Sequence, residues 1–119
     1  MEPDVLTDQS YTSCLELVKN NPFMIRSITV QNVEFCLEAV KRNGFALQYI
    51  IAQTPEICLE AVKQNGMALQ FVKNQTPEIC YAAVNNTGWA YDHIKIESVK
   101  DNIISRYLLQ YHKPIMIKS

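Results

Sequence analysis

The chain has 119 residues, of which 48% are hydrophobic and 19% charged, and this composition suits one globular domain rather than a disordered segment. The chain has eleven Lys and Arg residues and twelve Asp and Glu residues, so it lacks the basic excess that is usual in nucleic-acid-binding proteins. No apolar run reaches the ~20 residues of a membrane span, and the polar N-terminus does not resemble a secretory signal. These properties predict an intracellular protein with free thiols and no membrane partner.

A period of 22 residues dominates the sequence. The four cysteines, Cys14, Cys36, Cys58 and Cys80, are separated by this interval, and a valine follows each of them four positions later. The period divides a single domain, 1–119, into units 10–31, 32–53, 54–75 and 76–97 and a divergent remainder, 98–119. The second and third units agree at 13 of 22 positions, whereas unrelated segments agree at about one or two. The chain is therefore a tandem repeat.

The unit 54–75 shows how each repeat begins. Thr54 is a good helix N-cap, and Pro55 suits the first helical position. Cys58, Leu59 and Val62 then fall on one face at helical spacing, which predicts that this face is buried.

The middle of each unit predicts a turn and a second helix. Asn65-Gly66 predicts the helix end, with the glycine in the left-handed conformation that ends many helices. A shorter helix over 67–73 would bury Ala68, Leu69 and Val72. Because such short helices are marginal alone, stacking must stabilise them. The fold class is therefore all-α, a stack of 22-residue helix-turn-helix repeats similar to an α-solenoid.

The last segment predicts a longer C-terminal capping helix. Asn102 replaces the repeated cysteine and Gln110 replaces the glycine, so one helix over 99–112 is expected, ended by Pro114. The hydrophobic residues beyond this proline predict either a folded-back cap or a homodimer contact. They are Ile115, Met116 and Ile117.

The segments CLEAVKRNGFALQYI and CLEAVKQNGMALQFV, which begin at Cys36 and Cys58, resemble a known short helical repeat. That repeat is built around A-V-x-x-N-G-x-A-L and is catalogued as a domain of unknown function. It is familiar from giant viruses of amoebae and from intracellular bacteria that share those hosts. The resemblance covers residues 10–97, although unit 76–97 departs from the motif at Thr87 and Tyr91. It implies an intracellular repeat protein, in the host cell or the virion if viral. The family has no assigned catalytic residues, so the resemblance transfers none to this chain and implies no activity.

The residues that could carry chemistry favour packing instead. Equivalent positions of stacked helices lie roughly 8–10 Å apart, too far for a disulfide or a shared zinc ion. The cysteines are therefore predicted to be core residues. His93 and His112 lie in no cluster typical of metal ligands or of acid–base catalysis. The sequence predicts no catalytic residue, no metal site and no cofactor, and hence no enzyme.

A varying position in the repeat predicts a binding surface. Ser27, Tyr49, Phe71 and His93 occupy the same place in successive units, and Tyr49, Phe71 and His93 are the candidate partner surface. The same row could equally form the edge of the core. The leading hypothesis is a protein–protein interaction scaffold. The alternative is a nucleic-acid- or particle-associated structural protein. Lys41, Arg42, Lys63 and Lys73 would contribute to it, although glutamates repeat as regularly as the lysines.

Overall fold

The computed structural model describes residues 8–118, with side-chain burial described for residues 10–110. Within 8–118 the chain forms α-helices and 3₁₀ helices and no strand. The α-helices are α1 (Asp8–Asn20), α2 (Val33–Arg42), α3 (Pro55–Gln64), α4 (Pro77–Asn86) and α5 (Glu97–Lys118). The 3₁₀ helices are η1 (Pro22–Ser27), η2 (Gly44–Tyr49), η3 (Gly66–Phe71) and η4 (Gly88–His93). One 3₁₀ helix follows each of the first four α-helices, so the predicted stack of helical repeats is confirmed.

The starts of α3 and α4 follow the predicted capping chemistry. The Thr54 hydroxyl accepts the backbone N–H of Ile57 at 3.2 Å, and the Thr76 hydroxyl accepts that of Ile79 at the same distance. A proline occupies the first turn of each helix. These caps satisfy N–H groups that have no partner within the helix.

The predicted left-handed glycine is wrong. Asn65, with φ of −153° and ψ of 111°, ends α3 in an extended conformation. Its side chain then accepts the N–H of Met67 at 3.0 Å and starts η3, and Asn43 does the same for Phe45 in the preceding unit. No glycine in the described chain has positive φ. The reversal is therefore made by an extended asparagine that ends one helix and caps the next.

The glycines are instead required by close packing between units. A Cβ atom on Gly44 would collide with the carbonyl oxygen of Ala61 in the next unit, and one on Gly66 with that of Ala83. Both glycines are buried where the backbones meet. At Gly88, by contrast, nothing lies within 4 Å of a Cβ position. The repeated glycine is thus covered at the second and third junctions and uncovered at the last one.

The second helix of each unit differs in type from the prediction. It has six residues, begins at the glycine and is a 3₁₀ helix rather than an α-helix over 67–73. At about 2.0 Å rise per residue it spans roughly 12 Å, while the ten-residue α-helix beside it spans roughly 15 Å. The tighter helix therefore reaches almost as far as its neighbour with fewer residues.

The core is a continuous apolar layer between the α-helices and the 3₁₀ helices. In the third unit it consists of Ile57, Cys58, Ala61, Val62, Ala68, Leu69 and Val72, each at most 3% exposed. Leu59, predicted on the same face, is half-buried. No polar or charged residue is buried in the described chain. Packing of apolar side chains across the unit boundaries therefore supplies the stability that the short helices lack.

The closing helix is longer than predicted. α5 runs from Glu97 to Lys118, so the expectation that Pro114 ends it is wrong. An interior proline removes one backbone hydrogen bond and costs about 3 kcal/mol, which disfavours a helix but does not forbid it. Within the described range no helix combines the length and the hydropathy that a membrane crossing requires.

Candidate functional site

Four aromatic rings form a strip along the 3₁₀ side of the stack. We call Phe23, Phe45, Tyr49 and Phe71 the aromatic strip; all four are half-buried. The ring centroids of Phe23 and Tyr49 are 5.9 Å apart with planes at 74°, and those of Phe45 and Phe71 are 6.0 Å apart at 86°. This edge-to-face geometry is favourable. Each contact joins consecutive units, so one pair links η1 to η2 and the other links η2 to η3.

The predicted partner residues lie at or beside this strip. Tyr49, Phe71 and His93 are the last residues of η2, η3 and η4, and all three are half-buried. The Tyr49 and Phe71 rings pack against the core, and the Arg26 guanidinium lies 5.6 Å from the Tyr49 ring centroid. Each side chain thus combines a packed part with an exposed part. Their role in binding a partner stays a prediction.

A repeated glutamine fixes the backbone at these positions. Gln53 donates from Nε2 to the Phe71 carbonyl at 2.9 Å and accepts the Lys73 N–H on Oε1 at 3.0 Å. Gln31 makes the same pair of bonds to Tyr49 and Ile51, at 2.9 and 3.0 Å. Gln75 makes it to His93 and Lys95, at 2.9 and 2.8 Å. One side chain therefore joins each unit to the next. Sequence reasoning missed this ladder, although glutamine recurs at the 22-residue interval.

A second polar contact accompanies the glycine packing at Gly44 and Gly66. The Gln64 side chain accepts the Gly44 N–H at 2.6 Å, and the Asn86 side chain accepts the Gly66 N–H at 2.7 Å. The first junction lacks this bond because Pro22 has no N–H to donate. At the position that matches Gln64 it has Arg42, which pairs with Glu38 at 2.7 Å. Donor and acceptor are therefore both absent at this junction.

The cysteines lie in the core and contact the same ladder. The Cys58 and Cys80 thiols each lie 3.4 Å from a ladder glutamine oxygen, on Gln53 and Gln75 respectively. Cys36, Cys58 and Cys80 are buried, Cys14 is half-buried, and all four are free. Burial raises the pKa of the Cys36 thiol to about 11 and also raises the pKa values of Cys58 and Cys80.

Such thiols are poor nucleophiles and poor metal ligands, because the reactive species is the thiolate. Among the residues that the structure describes, no group of three or more His, Cys, Asp or Glu side chains could hold a metal ion. The geometry therefore assigns the buried cysteines to packing.

The last junction is open. A cleft of about 630 Å³ separates α4 from α5. Its lining residues are Tyr81, Ala82, Val84, Asn85, Gly88, Ile103, Arg106, Tyr107 and Gln110. The Arg106 guanidinium lies 5.3 Å from the Tyr81 ring centroid. Trp89 follows the lining residue Gly88 directly and is 76% exposed. This end of the stack therefore exposes more aromatic side-chain surface than the closed junctions do.

The predicted tail contact falls at the end of α5. Ile115, Met116 and Ile117 lie within the bounds of that helix. Their side chains, like that of His112, are outside the described residues. The homodimer contact and the alternative cap therefore both stay predictions.

Comparison with known families shows where these repeats belong. The model of the family described as Domain of unknown function (DUF4116) matches three overlapping segments, residues 14–53, 32–76 and 54–100. The chain belongs to this family. Each DUF4116 match spans roughly two of the 22-residue units. This length agrees with a fold in which each unit packs against the next one. No curated protein and no solved structure gives a significant match to the chain.

Proposed function

We propose that this DUF4116 protein is a non-enzymatic scaffold that binds another protein along the aromatic strip and at His93, which occupies the same repeat position as Tyr49 and Phe71. The observation that supports it is that two pairs of half-buried rings in edge-to-face contact link η1 to η2 and η2 to η3. Repeat stacks form extended binding surfaces because each unit presents the same position at a regular interval. Aromatic side chains are enriched in protein interfaces relative to other surfaces.

The backbone beneath the strip favours this role. The glutamine ladder holds the ends of η2, η3 and η4 through side-chain bonds of 2.8 to 3.0 Å. A surface that is ordered before binding loses less conformational entropy when a partner docks. The strip is therefore pre-organised for a partner that contacts several units at once.

The charged residues give less support to the nucleic-acid alternative. Arg42 is paired with Glu38 at 2.7 Å, and the Lys73 ammonium donates to the Ile51 carbonyl at 3.2 Å. Two of the four basic residues named for that alternative thus already have partners in the chain. An intracellular site of action, in a host cell or in a virion if the protein is viral, belongs to the same proposal as the scaffold.

The proposal is tested by affinity capture from the native host with two matched triple variants. Tyr49→Ser, Phe71→Ser and His93→Ser together should remove captured partners, because exposed ring area is lost in three units. The control replaces the exposed neighbours on the same 3₁₀ helices, Gln48, Gln70 and Asp92, by serine. It should capture what the wild-type chain captures.

Circular dichroism must show that both triple variants keep the helical content and the melting transition of the wild-type chain. The proposal fails if the strip variant captures the same proteins as the control. It also fails if the strip variant unfolds, because the row would then be core.

A further inference from the structure

We infer that the cleft between α4 and α5 docks an α-helix of a partner protein that presents Ala-x-x-Gln or Ala-x-x-Asn toward Gly88. This inference rests on the proposed protein-binding role and names the kind of segment that is bound. It concerns the open end of the stack, which is separate from the aromatic strip.

The closed junctions of the chain show what covers this glycine. Over Gly44 lies α3, with the Ala61 carbonyl against the glycine and the Gln64 side chain accepting its N–H. Over Gly66 lies α4, where Ala83 and Asn86 make the same two contacts. In each case the covering segment is a helix with alanine at one position and a carboxamide three residues later. The repeat thus defines its own complementary helix.

Gly88 occupies the same repeat position as Gly44 and Gly66, but no helix packs over it. Its φ is not positive, and nothing lies within 4 Å of its Cβ position, so neither the local backbone nor a neighbour requires glycine. The position on α5 that matches Gln64 and Asn86 is Leu108, which offers no side-chain acceptor and is 45% exposed. A side-chain cap of the kind that starts η2 and η3 is also missing at Thr87.

The lining of the cleft is suited to one face of such a helix. Its volume of about 630 Å³ gives room for side chains on one face rather than for a whole helix, which with its side chains is about 10–12 Å across. Ala82, Val84 and Ile103 give it apolar walls, and Arg106 is a cation with no acidic residue among the lining side chains. A partner helix with a carboxylate next to its alanine, as Glu60 precedes Ala61 in α3, would complement that charge.

The test uses the peptide TPEICLEAVKQN, residues 54–65, which carries the helix that covers Gly44. Trp89 is the single tryptophan of the chain and follows Gly88 directly, so its fluorescence reports binding without a label. Titration under reducing conditions should give a saturable change. Gly88→Ala should weaken binding at least about tenfold, because the added Cβ would meet the alanine carbonyl of the peptide. Gln70→Ser, on another unit, should bind as the wild type does.

A second variant and two further outcomes complete the test. Arg106→Glu should also weaken binding, because it places a negative charge beside the Glu60 carboxylate of the peptide. No saturable binding, or equal binding by Gly88→Ala, would overturn the inference. Self-association that Gly88→Ala abolishes would also overturn it, since the occupant would then be a second copy of the chain.

The two functional proposals can fail separately. The triple variant at Tyr49, Phe71 and His93 should still bind the peptide, because none of these residues lines the cleft. Loss of captured partners with retained peptide binding would therefore speak for the strip and leave the cleft intact.

Discussion

At the scale of single residues, burial determines what the repeated cysteine can do. Cys36, Cys58 and Cys80 are at most 3% exposed, and Cys14 is half-buried. Removing a thiol from water disfavours its charged form, which raises the pKa of Cys36 to about 11. At pH 8 a thiol with that pKa is ionised to about one part in a thousand. Cysteine is a reactive residue type, but burial makes the thiols at this repeat position poorly reactive.

We expect Cys14 to react with a thiol reagent at pH 8 well before the three buried cysteines. Both burial and the raised pKa values of Cys36, Cys58 and Cys80 slow their reaction. Mass spectrometry of peptides from a timed alkylation gives the four rates. Denatured chain is the control, in which all four should react at similar rates. Similar rates in the folded chain would contradict the burial that the structure shows.

The same pKa shifts predict how stability depends on pH. Because the folded pKa of Cys36 lies above that of the unfolded chain, the protonated thiol stabilises the fold below about pH 9. This stabilisation should be lost as the pH rises toward 11. Urea unfolding across this range, with Cys36→Ala as the control, isolates the contribution of this thiol, and the variant should show the weaker pH dependence.

At the scale of elements, the starts of the helices could be predicted from the sequence and the junctions could not. Thr54 and Pro55 act within one helical turn, so their chemistry is readable locally. Gln53 and Gly66 act on the next unit, and their partners depend on how the units stack. The 3₁₀ type of the second helix was missed for the same reason. The prediction that Pro114 ends α5 considered only the local cost of an interior proline, and α5 continues past that residue.

Among these elements the glutamine ladder offers a direct test. Gln53→Leu should lower the free energy of unfolding by about 1–3 kcal/mol, because the Phe71 carbonyl and the Lys73 N–H lose their partner. Gln70→Leu is the matched control, since Gln70 is exposed and bonds only to the Met67 carbonyl of its own helix. Urea denaturation of both variants measures the difference. Equal losses would mean that the ladder does not hold the units together.

At the scale of the whole molecule, each repeat packs against its neighbours and the chain as a whole is elongated. Its radius of gyration is 18.3 Å and it measures 74 × 23 × 16 Å, whereas a compact domain of this length has a radius of gyration of about 14 Å. In such a stack stability is approximately the sum of unit terms and junction terms. An open junction therefore leaves a surface that the closed junctions bury. Both proposed binding roles depend on how the units stack, because the aromatic strip lies along the stack and the cleft lies at its open end.

The measurement that tests this arrangement most directly is the unfolding free energy of Gly66→Ala compared with that of Gly88→Ala. The substitution is the same and the repeat position is the same, but only Gly66 faces the carbonyl of a following alanine. We predict that Gly66→Ala loses about 1–3 kcal/mol or more through overpacking. Gly88→Ala should be neutral or gain about 0.4–1 kcal/mol, since alanine restricts the unfolded chain. Equal losses at both positions would contradict the stack of closed junctions with one open end.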